Sequence, residues 1–230
     1  MTLLRLEGIE KQYHQGEVKI TALRDIHLEI EQGEFVALVG PSGSGKTTLL
    51  NIIGGLDLPD HGRALINDTD MRQLSEAQRS RFRLHQIGFV FQAYNLVPVL
   101  SAIENVELVM VLQGETRQSS RAQATHYLEL VGLGEVMDRR PAALSGGQQQ
   151  RVAVARALAA GPSLVLADEP TANLDSENAG ALLDLMVHLA NEEKSTFIFS
   201  THDERVMQRA KRIITLQDGS IHRDQRARQS

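Results

Sequence analysis

The chain has 230 residues, of which 42% are hydrophobic and 23% are charged, values typical of a soluble globular protein that exclude wholesale disorder. Its formal net charge of −5 gives no overall electrostatic attraction to nucleic acid, and the absence of cysteine excludes disulfides and thiolate metal sites. No run approaches the roughly 18 apolar residues of a membrane span, and the N-terminus lacks the apolar region of a signal peptide. If the protein serves a membrane, we expect it to do so from the aqueous side.

Short alternating segments near the N-terminus predict β-strands. The stretches LLRLEGI, IHLEIEQG and GRALIND alternate apolar and polar residues, and glycines or an Asn-Asp pair separate them. Little helix-forming sequence lies between them. This pattern predicts an antiparallel sheet at the edge of the fold.

Three apolar runs predict the buried strands of a parallel sheet. They are EFVALVG at 34–40, SLVLADEP at 163–170 and STFIFSTHD at 195–203. Amphipathic segments of helical length lie at 46–55, 146–160 and 178–192. Strands that alternate with helices in this way favour an α/β fold with a parallel sheet covered by helices.

The stretch from about 93 to 143 has helical signals and no convincing strand, which predicts a helical insertion. We therefore predict a single domain over 1–230, in which 1–92 and 160–230 form the core with its β subdomain and 93–159 form a helical subdomain. The C-terminal HRDQRARQS is locally basic and is predicted to be a short solvated tail without a function of its own.

The stretch GPSGSGKTT matches the phosphate-loop pattern G-x-x-x-x-G-K-[ST] and lies between a predicted strand and a predicted helix. Its residues are Gly40, Pro41, Ser42, Gly43, Ser44, Gly45, Lys46, Thr47 and Thr48. The glycines let successive backbone N–H groups point at phosphates, Lys46 adds a positive charge, and the Thr47 hydroxyl can bind Mg²⁺. A Gly/Ser loop without a ligand is the alternative, which the strand-to-helix context disfavours.

Polar side chains at three predicted strand ends are candidates for the chemistry. Asp168 can hold the Mg²⁺ shell and Glu169 can polarise water, although a helix cap followed by a first-turn acid is the alternative for such a pair. His202 ends the following strand, so it would reach the same sheet edge and could stabilise charge on a phosphate, although a lone histidine is more often a surface or capping residue. Gln92 offers an amide oxygen to Mg²⁺ or water, or is a solvated strand end.

A second glycine-rich helix start, LSGGQ at 144–148, lies about a hundred residues after the phosphate loop. With it, the motifs resemble those of the ATP-binding cassette (ABC) ATPases, in the family's order and over essentially the whole chain. The phosphate loop is similar to Walker A, Gln92 to the Q-loop, LSGGQ to the signature, LVLADE to Walker B, ANLD to the D-loop and His202 to the switch histidine. Tyr13 resembles the aromatic residue that stacks on adenine.

The resemblance implies a P-loop NTPase cassette with a RecA-like parallel-sheet core, an N-terminal antiparallel β subdomain and an inserted α-helical subdomain. It implies ATP and Mg²⁺ as cofactors, with Thr47, Gln92 and Asp168 at the metal. It also implies that Glu169 is the general base and that Lys46 and His202 contact the γ-phosphate.

For the signature residues, the resemblance implies binding to an ATP molecule that another subunit's Walker A loop holds, and hence a homodimer around two ATP molecules. These residues are Ser145, Gly146, Gly147 and Gln148. The two glutamines that follow, Gln149 and Gln150, are predicted to lie on the solvated surface of the helix.

Within the family, the chain looks most like the subfamily that serves lipoprotein release, macrolide export and a cell-division complex. That likeness implies an ATPase subunit that powers a separate integral membrane permease from the cytoplasmic face of the inner membrane. A short helix of the permease is expected to dock near Tyr94, Leu96 and Val97.

Two other functions are alternatives to this one. Soluble ABC ATPases also act on DNA or ribosomes, but such proteins carry a long coiled-coil insertion or two cassettes in one chain, and neither fits 230 residues with one set of motifs. A P-loop kinase would need a phosphate-acceptor site and would have no use for LSGGQ.

Overall fold

The computed structural model describes residues 1–16 and 18–226, and its chain forms two compact units. One unit comprises Met1–Arg83 together with the chain from Thr196 onward, and the other comprises Leu84–Ser195. The predicted subdomain limits at 92 and 160 remain a prediction. Among the described residues, no helix is long and apolar enough to cross a membrane.

Strands and helices alternate along most of the chain. In order they are β1 (Thr2–Gln15), β2 (Val18–Glu31), β3 (Phe35–Val39), α1 (Lys46–Ile53), β4 (His61–Ile66), β5 (Thr69–Asp70), α2 (Glu76–Gln86), β6 (Ile87–Phe91), α3 (Ala102–Gln113), α4 (Arg117–Leu130), α5 (Gly146–Ala159), β7 (Leu164–Asp168), α6 (Ser176–Glu193), β8 (Thr196–Ser200), α7 (Glu204–Arg209), β9 (Arg212–Gln217) and β10 (Ser220–Arg226). Two short 3₁₀ helices lie at Gly134–Val136 and Pro141–Ala143.

The N-terminal sheet has the strand order β2-β1-β4-β5, and all its pairs are antiparallel, as predicted. Leu4, Leu6 and Ile9 of β1 are buried in the core of this unit. The first two strands are each 14 residues long, much longer than the sequence suggests, because they pair with each other from Thr2 opposite Glu31 to Gln15 opposite Val18, with bulges. The extension carries Tyr13 on β1, well beyond the predicted strand.

In the same unit, β3 pairs in parallel with both β8 and β9. Phe35, Phe197 and Phe199 pack against one another on β3 and β8, with ring centroids 4.5–5.8 Å apart. The backbone N–H of Thr201 continues the ladder by donating to the carbonyl of Leu38 at 3.1 Å. The two segments that follow β3 and β8 therefore start from the same edge of the sheet.

The C-terminal segment differs from its prediction as a solvated tail. Residues 220–226 form β10, which pairs antiparallel with β9. Its side chains are mostly exposed, which explains why the sequence lacks the apolar signal of a strand, and backbone pairing holds the segment in place. The last four residues of the predicted tail lie outside the described residues.

In the second unit, β6 and β7 pair in parallel from Ile87 opposite Leu164 to Phe91 opposite Asp168. The helices α3, α4 and α5 pack together, and α5 also covers β6. The stretch predicted to be helical, 93–143, contains α3, α4 and the two 3₁₀ helices, and no strand.

Substitution by alanine should have opposite effects on stability at two glycines of the second unit. A Cβ at Gly88 would lie 2.4 Å from the carbonyl oxygen of Ala157, so Gly88→Ala must push α5 away from β6 and should destabilise the protein by about 2–3 kcal/mol. A Cβ at Gly180 in α6 meets nothing within 4 Å, so Gly180→Ala should stabilise by about 0.5–1 kcal/mol. Urea unfolding of both variants measures the two signs, and a neutral Gly88→Ala would contradict the close packing.

Candidate nucleotide-binding site

The phosphate loop joins β3 to α1 and needs glycine for two separate reasons. A Cβ at Gly40 would lie 2.2 Å from the carbonyl oxygen of Leu216, so the neighbouring strand leaves no room for a side chain. Gly45 precedes α1 with φ 102°, in the left-handed region, and a Cβ there would lie 2.5 Å from the carbonyl oxygen of Ala22. At both positions the loop therefore lies against the backbone of a neighbouring strand, with no space for a side chain.

The start of α1 is suited to an anion. Its first turn contains no acidic residue, and no side chain in the described part of the chain caps its N-terminus. It contains Lys46 instead, a cation at the positive end of the helix dipole, which is unfavourable unless an anion lies close by. The Lys46 ammonium donates to the carbonyl oxygens of Gly40 and Pro41 at 2.8 and 3.1 Å, so it is held over the loop.

Two more predicted residues lie in the same unit as the loop. Tyr13 lies on β1, and its hydroxyl donates at 2.8 Å to Oδ2 of Asp57, in the turn that follows α1. Tyr13 is 39% exposed, which leaves surface for a stacked base. His202 is exposed and follows β8 by two residues, at the sheet edge from which the phosphate loop also leaves.

In the second unit, the predicted Gln92, Asp168 and Glu169 come together. Phe91 and Asp168 are paired ends of parallel strands, so Gln92 and Glu169 leave the sheet side by side. The Asn173 amide donates to the backbone carbonyl of Gln92 at 2.9 Å and links the ANLD segment to this edge. Glu169 has φ 45°, a left-handed conformation that is uncommon for glutamate and that stores strain at this position.

The signature residues form the N-terminus of α5 as a capping box. The Ser145 hydroxyl accepts from the N–H of Gln148 at 3.2 Å, and the Gln148 side chain accepts from the N–H of Ser145 at 2.9 Å. These side chains accept hydrogen bonds from two backbone N–H groups at the start of the helix. Gly146 and Gly147 add no side chain, so the rest of the helix start presents backbone, as an anion site requires.

The prediction for Gln150 is wrong. Gln149 is half-buried, but Gln150 is fully buried, and its amide donates to the carbonyl oxygen of Phe91 at 3.3 Å. It therefore connects α5 to the strand end that precedes Gln92. The reason is that α5 is buried on nearly every side, so helical periodicity does not separate a solvated face.

The segment after Gln92 is held by side chains that the sequence did not single out. Tyr94 and Asn95 both adopt left-handed conformations, with φ 58° and 49°. Arg156 of α5 donates to both carbonyl oxygens, at 2.9 and 2.5 Å, and burial lowers the pKa of its guanidinium. The Asn105 amide binds the N–H and carbonyl of Val97 at 2.7 and 3.2 Å.

Tyr94 also approaches the signature. A Cβ at Gly146 would lie 2.8 Å from the Tyr94 hydroxyl, so a side chain there would displace the end of the tyrosine. The only local signals for these contacts were a lone arginine in the apolar run VAVARALA and an asparagine among apolar residues of α3.

Comparison with known proteins agrees with this arrangement. The family model described as ABC transporter matches residues 23–172. The chain is 43% identical to the lipoprotein-releasing system ATP-binding protein LolD of Shewanella oneidensis, with 95% of each chain covered. It is 48% identical to the macrolide export ATP-binding/permease protein MacB of Syntrophobacter fumaroxidans over 96% of this chain, and it spans 31% of that longer protein.

Among solved structures, the chain is similar to the dimeric post-hydrolysis state of the ATP-binding cassette MJ0796 bound to ADP and Pi, a protein that bears the same name as a relative from Methanocaldococcus jannaschii. The TM-score is 0.92 at 41% identity, over 99% of this chain and 100% of that one.

The chain therefore belongs to the ABC transporter family and has the fold of its ATP-binding cassettes. The matches confirm the predicted family, the fold class and the prediction of an ATP-binding subunit. None of these relatives is named as a protein of DNA or ribosomes, so the comparisons favour transport over that alternative.

Proposed function

We propose that this chain is the ATP-hydrolysing subunit of a membrane transport or mechanotransmission complex and that ATP joins two copies of it. The observation that carries the proposal is the presence of two phosphate-type helix starts in one chain, α1 and α5. Each chain binds the phosphates of one ATP with its α1 loop and offers its α5 start to the ATP of its partner. The relative MJ0796 is described as dimeric with ADP and Pi, which supports this arrangement.

The predicted residues take separate roles in this proposal. The backbone N–H groups of 40–48 and Lys46 hold the phosphates, and Tyr13 stacks on adenine. Glu169 takes a proton from the attacking water, and the His202 imidazole stabilises charge on the γ-phosphate in the transition state. The left-handed backbone of Glu169 supports its assignment, because strain of this kind concentrates at functional positions.

The oxygen donors of the site suit Mg²⁺. Hydroxyl, amide and carboxylate oxygens are the ligands this cation prefers, and Thr47, Gln92 and Asp168 supply one of each. These three residues would hold the ion together with phosphate oxygens. When bound, Mg²⁺ neutralises negative charge that builds up on the phosphates.

The segment 93–100 is the proposed docking site for the permease, on the cytoplasmic face of the inner membrane. Its Val99 side chain is 69% exposed, and Tyr94, Leu96 and Val97 are half-buried. The clamp of Arg156 on Tyr94 and Asn95 gives the segment a defined shape for a partner to recognise. The relatives named for lipoprotein release and macrolide export support a permease as the partner.

Mixing two inactive variants tests the shared site. Lys46→Ala damages only the phosphate loop and Ser145→Arg only the signature, so each variant alone should hydrolyse almost no ATP. In a mixed dimer, one site combines the intact loop of one chain with the intact signature of the other. An equal mixture should recover about a quarter of wild-type ATPase activity, because half of the dimers are mixed and each has one intact site. A mixture as inactive as its components would contradict the proposal.

A further inference from the structure

The side chain of Tyr13 is fixed by a carboxylate of the same unit. The Tyr13 hydroxyl donates to Oδ2 of Asp57 at 2.8 Å. Asp57 lies just beyond the end of α1, in the turn GGLDLPD, 44 residues from Tyr13 in sequence. Because that turn continues directly from α1, the hydroxyl is bound to the segment that follows the phosphate-loop helix. The position of the ring is thereby linked to that of the phosphate loop.

Asp57 is in turn held by Lys11. The Lys11 ammonium donates to Oδ1 of Asp57 at 2.8 Å and to the carbonyl oxygen of Leu58 at 2.8 Å, and it lies 3.8 Å from Asp60. Lys11 is 9% exposed, so its charge needs these partners. Its Nζ also lies 5.2 Å from the centroid of the Tyr13 ring, at a distance suited to a cation–π contact.

The ionisation of the cluster favours this arrangement at neutral pH. Burial acts to raise the pKa of Asp57, but hydrogen bonds from Lys11 and Tyr13 lower it overall, so the carboxylate is ionised. Burial and the bond to Asp57 raise the pKa of Tyr13, so its hydroxyl keeps its proton and remains a donor. Both donors can bind at once, because Lys11 donates to Oδ1 of Asp57 and Tyr13 donates to Oδ2.

We infer that Asp57, held by Lys11, is a positioning residue for nucleotide binding, which fixes the Tyr13 ring at the distance from the phosphate loop that an adenine nucleotide requires. This inference rests on the proposed stacking role of Tyr13. A flexible tyrosine would have to lose side-chain freedom each time it stacks on a base, and a ring that is already fixed avoids that cost. Asp57 therefore acts on the affinity for ATP and leaves the chemical step alone.

The test compares ligands with and without a base. ATP hydrolysis gives KM and kcat, and competitive inhibition by inorganic tripolyphosphate gives a Ki that reports the phosphate loop alone. Tyr13→Phe keeps the ring and removes the hydroxyl that donates to Asp57, and Asp57→Ala removes the carboxylate that accepts this bond. Each should raise KM for ATP by roughly fivefold, the size of one lost hydrogen bond, with a smaller than twofold fall in kcat. The Ki of tripolyphosphate should stay within twofold of the wild-type value in both.

The double variant and Tyr13→Ala separate the possible outcomes. If the link exists, Asp57→Ala in the Tyr13→Phe background should add little, because the bond is already gone. Effects that multiply, or an Asp57→Ala change that weakens tripolyphosphate as much as ATP, would overturn the inference in favour of a purely structural Asp57. If Tyr13→Ala raises KM but Tyr13→Phe does not, the link fails and the stacking proposal stands. If Tyr13→Ala leaves KM unchanged, the stacking proposal itself fails, and the inference with it.

Discussion

Glu169→Gln should lower the rate of ATP hydrolysis by about 100-fold or more, because the amide cannot take a proton from the attacking water. It should also make a stable dimer in the presence of ATP, since the nucleotide that joins the two chains is no longer consumed. Single-turnover hydrolysis measures the first effect, and sedimentation with and without ATP measures the second. The substitution replaces the carboxylate with a neutral carboxamide and preserves the size of the side chain.

Two further variants sharpen this experiment. Glu177 is an exposed acid in the first turn of α6, so Glu177→Gln removes a nearby negative charge and should hydrolyse ATP at the wild-type rate. Adding Ser145→Arg to Glu169→Gln should return the protein to a monomer with ATP, because it blocks the helix start that meets the partner's nucleotide. A Glu169→Gln protein that hydrolyses ATP at the wild-type rate would disprove the assignment of the general base.

Arg212→Met should destabilise the protein by about 3 kcal/mol, because it removes a buried charge from the groups that are paired with it. Arg212 is 7% exposed and donates two hydrogen bonds to Asp224 of β10, at 2.8 and 2.6 Å. It also donates to Glu34 at 2.9 Å and to the carbonyl oxygen of Glu29 at 2.7 Å. Removing it leaves two carboxylates and a carbonyl without their shared cation.

The matched control for this variant is Arg226→Met. Arg226 also pairs with Glu34, at 3.1 Å, but its side chain is 61% exposed, so its loss should cost less than about 1 kcal/mol. Thermal unfolding should place Arg212→Met about 6–12 °C below the wild type and Arg226→Met within a few degrees of it. Equal effects of the two substitutions would show that burial does not strengthen the Arg212 interactions.

The parts of the candidate site that consist of consecutive residues were predictable from the sequence. The loop 40–48 and the LSGGQ stretch are local patterns whose glycines and helix starts need no partner elsewhere to be recognised. The pairing of Phe91 with Asp168, by contrast, shows that the strands before Gln92 and Glu169 are neighbours, which no local pattern predicted. The strand β10 was missed because its side chains are exposed and carry no apolar alternation.

Contacts distant in sequence were not predictable. Tyr13 and Asp57 are 44 residues apart, and Arg156 and Tyr94 are 62 residues apart, so no local pattern links either pair. Gln150 shows a different reason. Its place in a run of three glutamines indicates a solvated surface, but α5 is enclosed by strand and helices, and its buried carboxamide pairs with a backbone carbonyl.

The sequence by itself determined the family, the α/β fold class and the motifs of an ATP-binding subunit, because backbone conformation and charge at a phosphate loop depend on residue type and order. Only the tertiary structure decided which side chains hold these motifs in place. Asp57 accepts a hydrogen bond from Tyr13, and Arg156 donates to the segment after Gln92. Arg212 in the same way holds the last strand through Asp224. These supports depend on which elements pack together, and packing brings together residues that are unrelated in sequence.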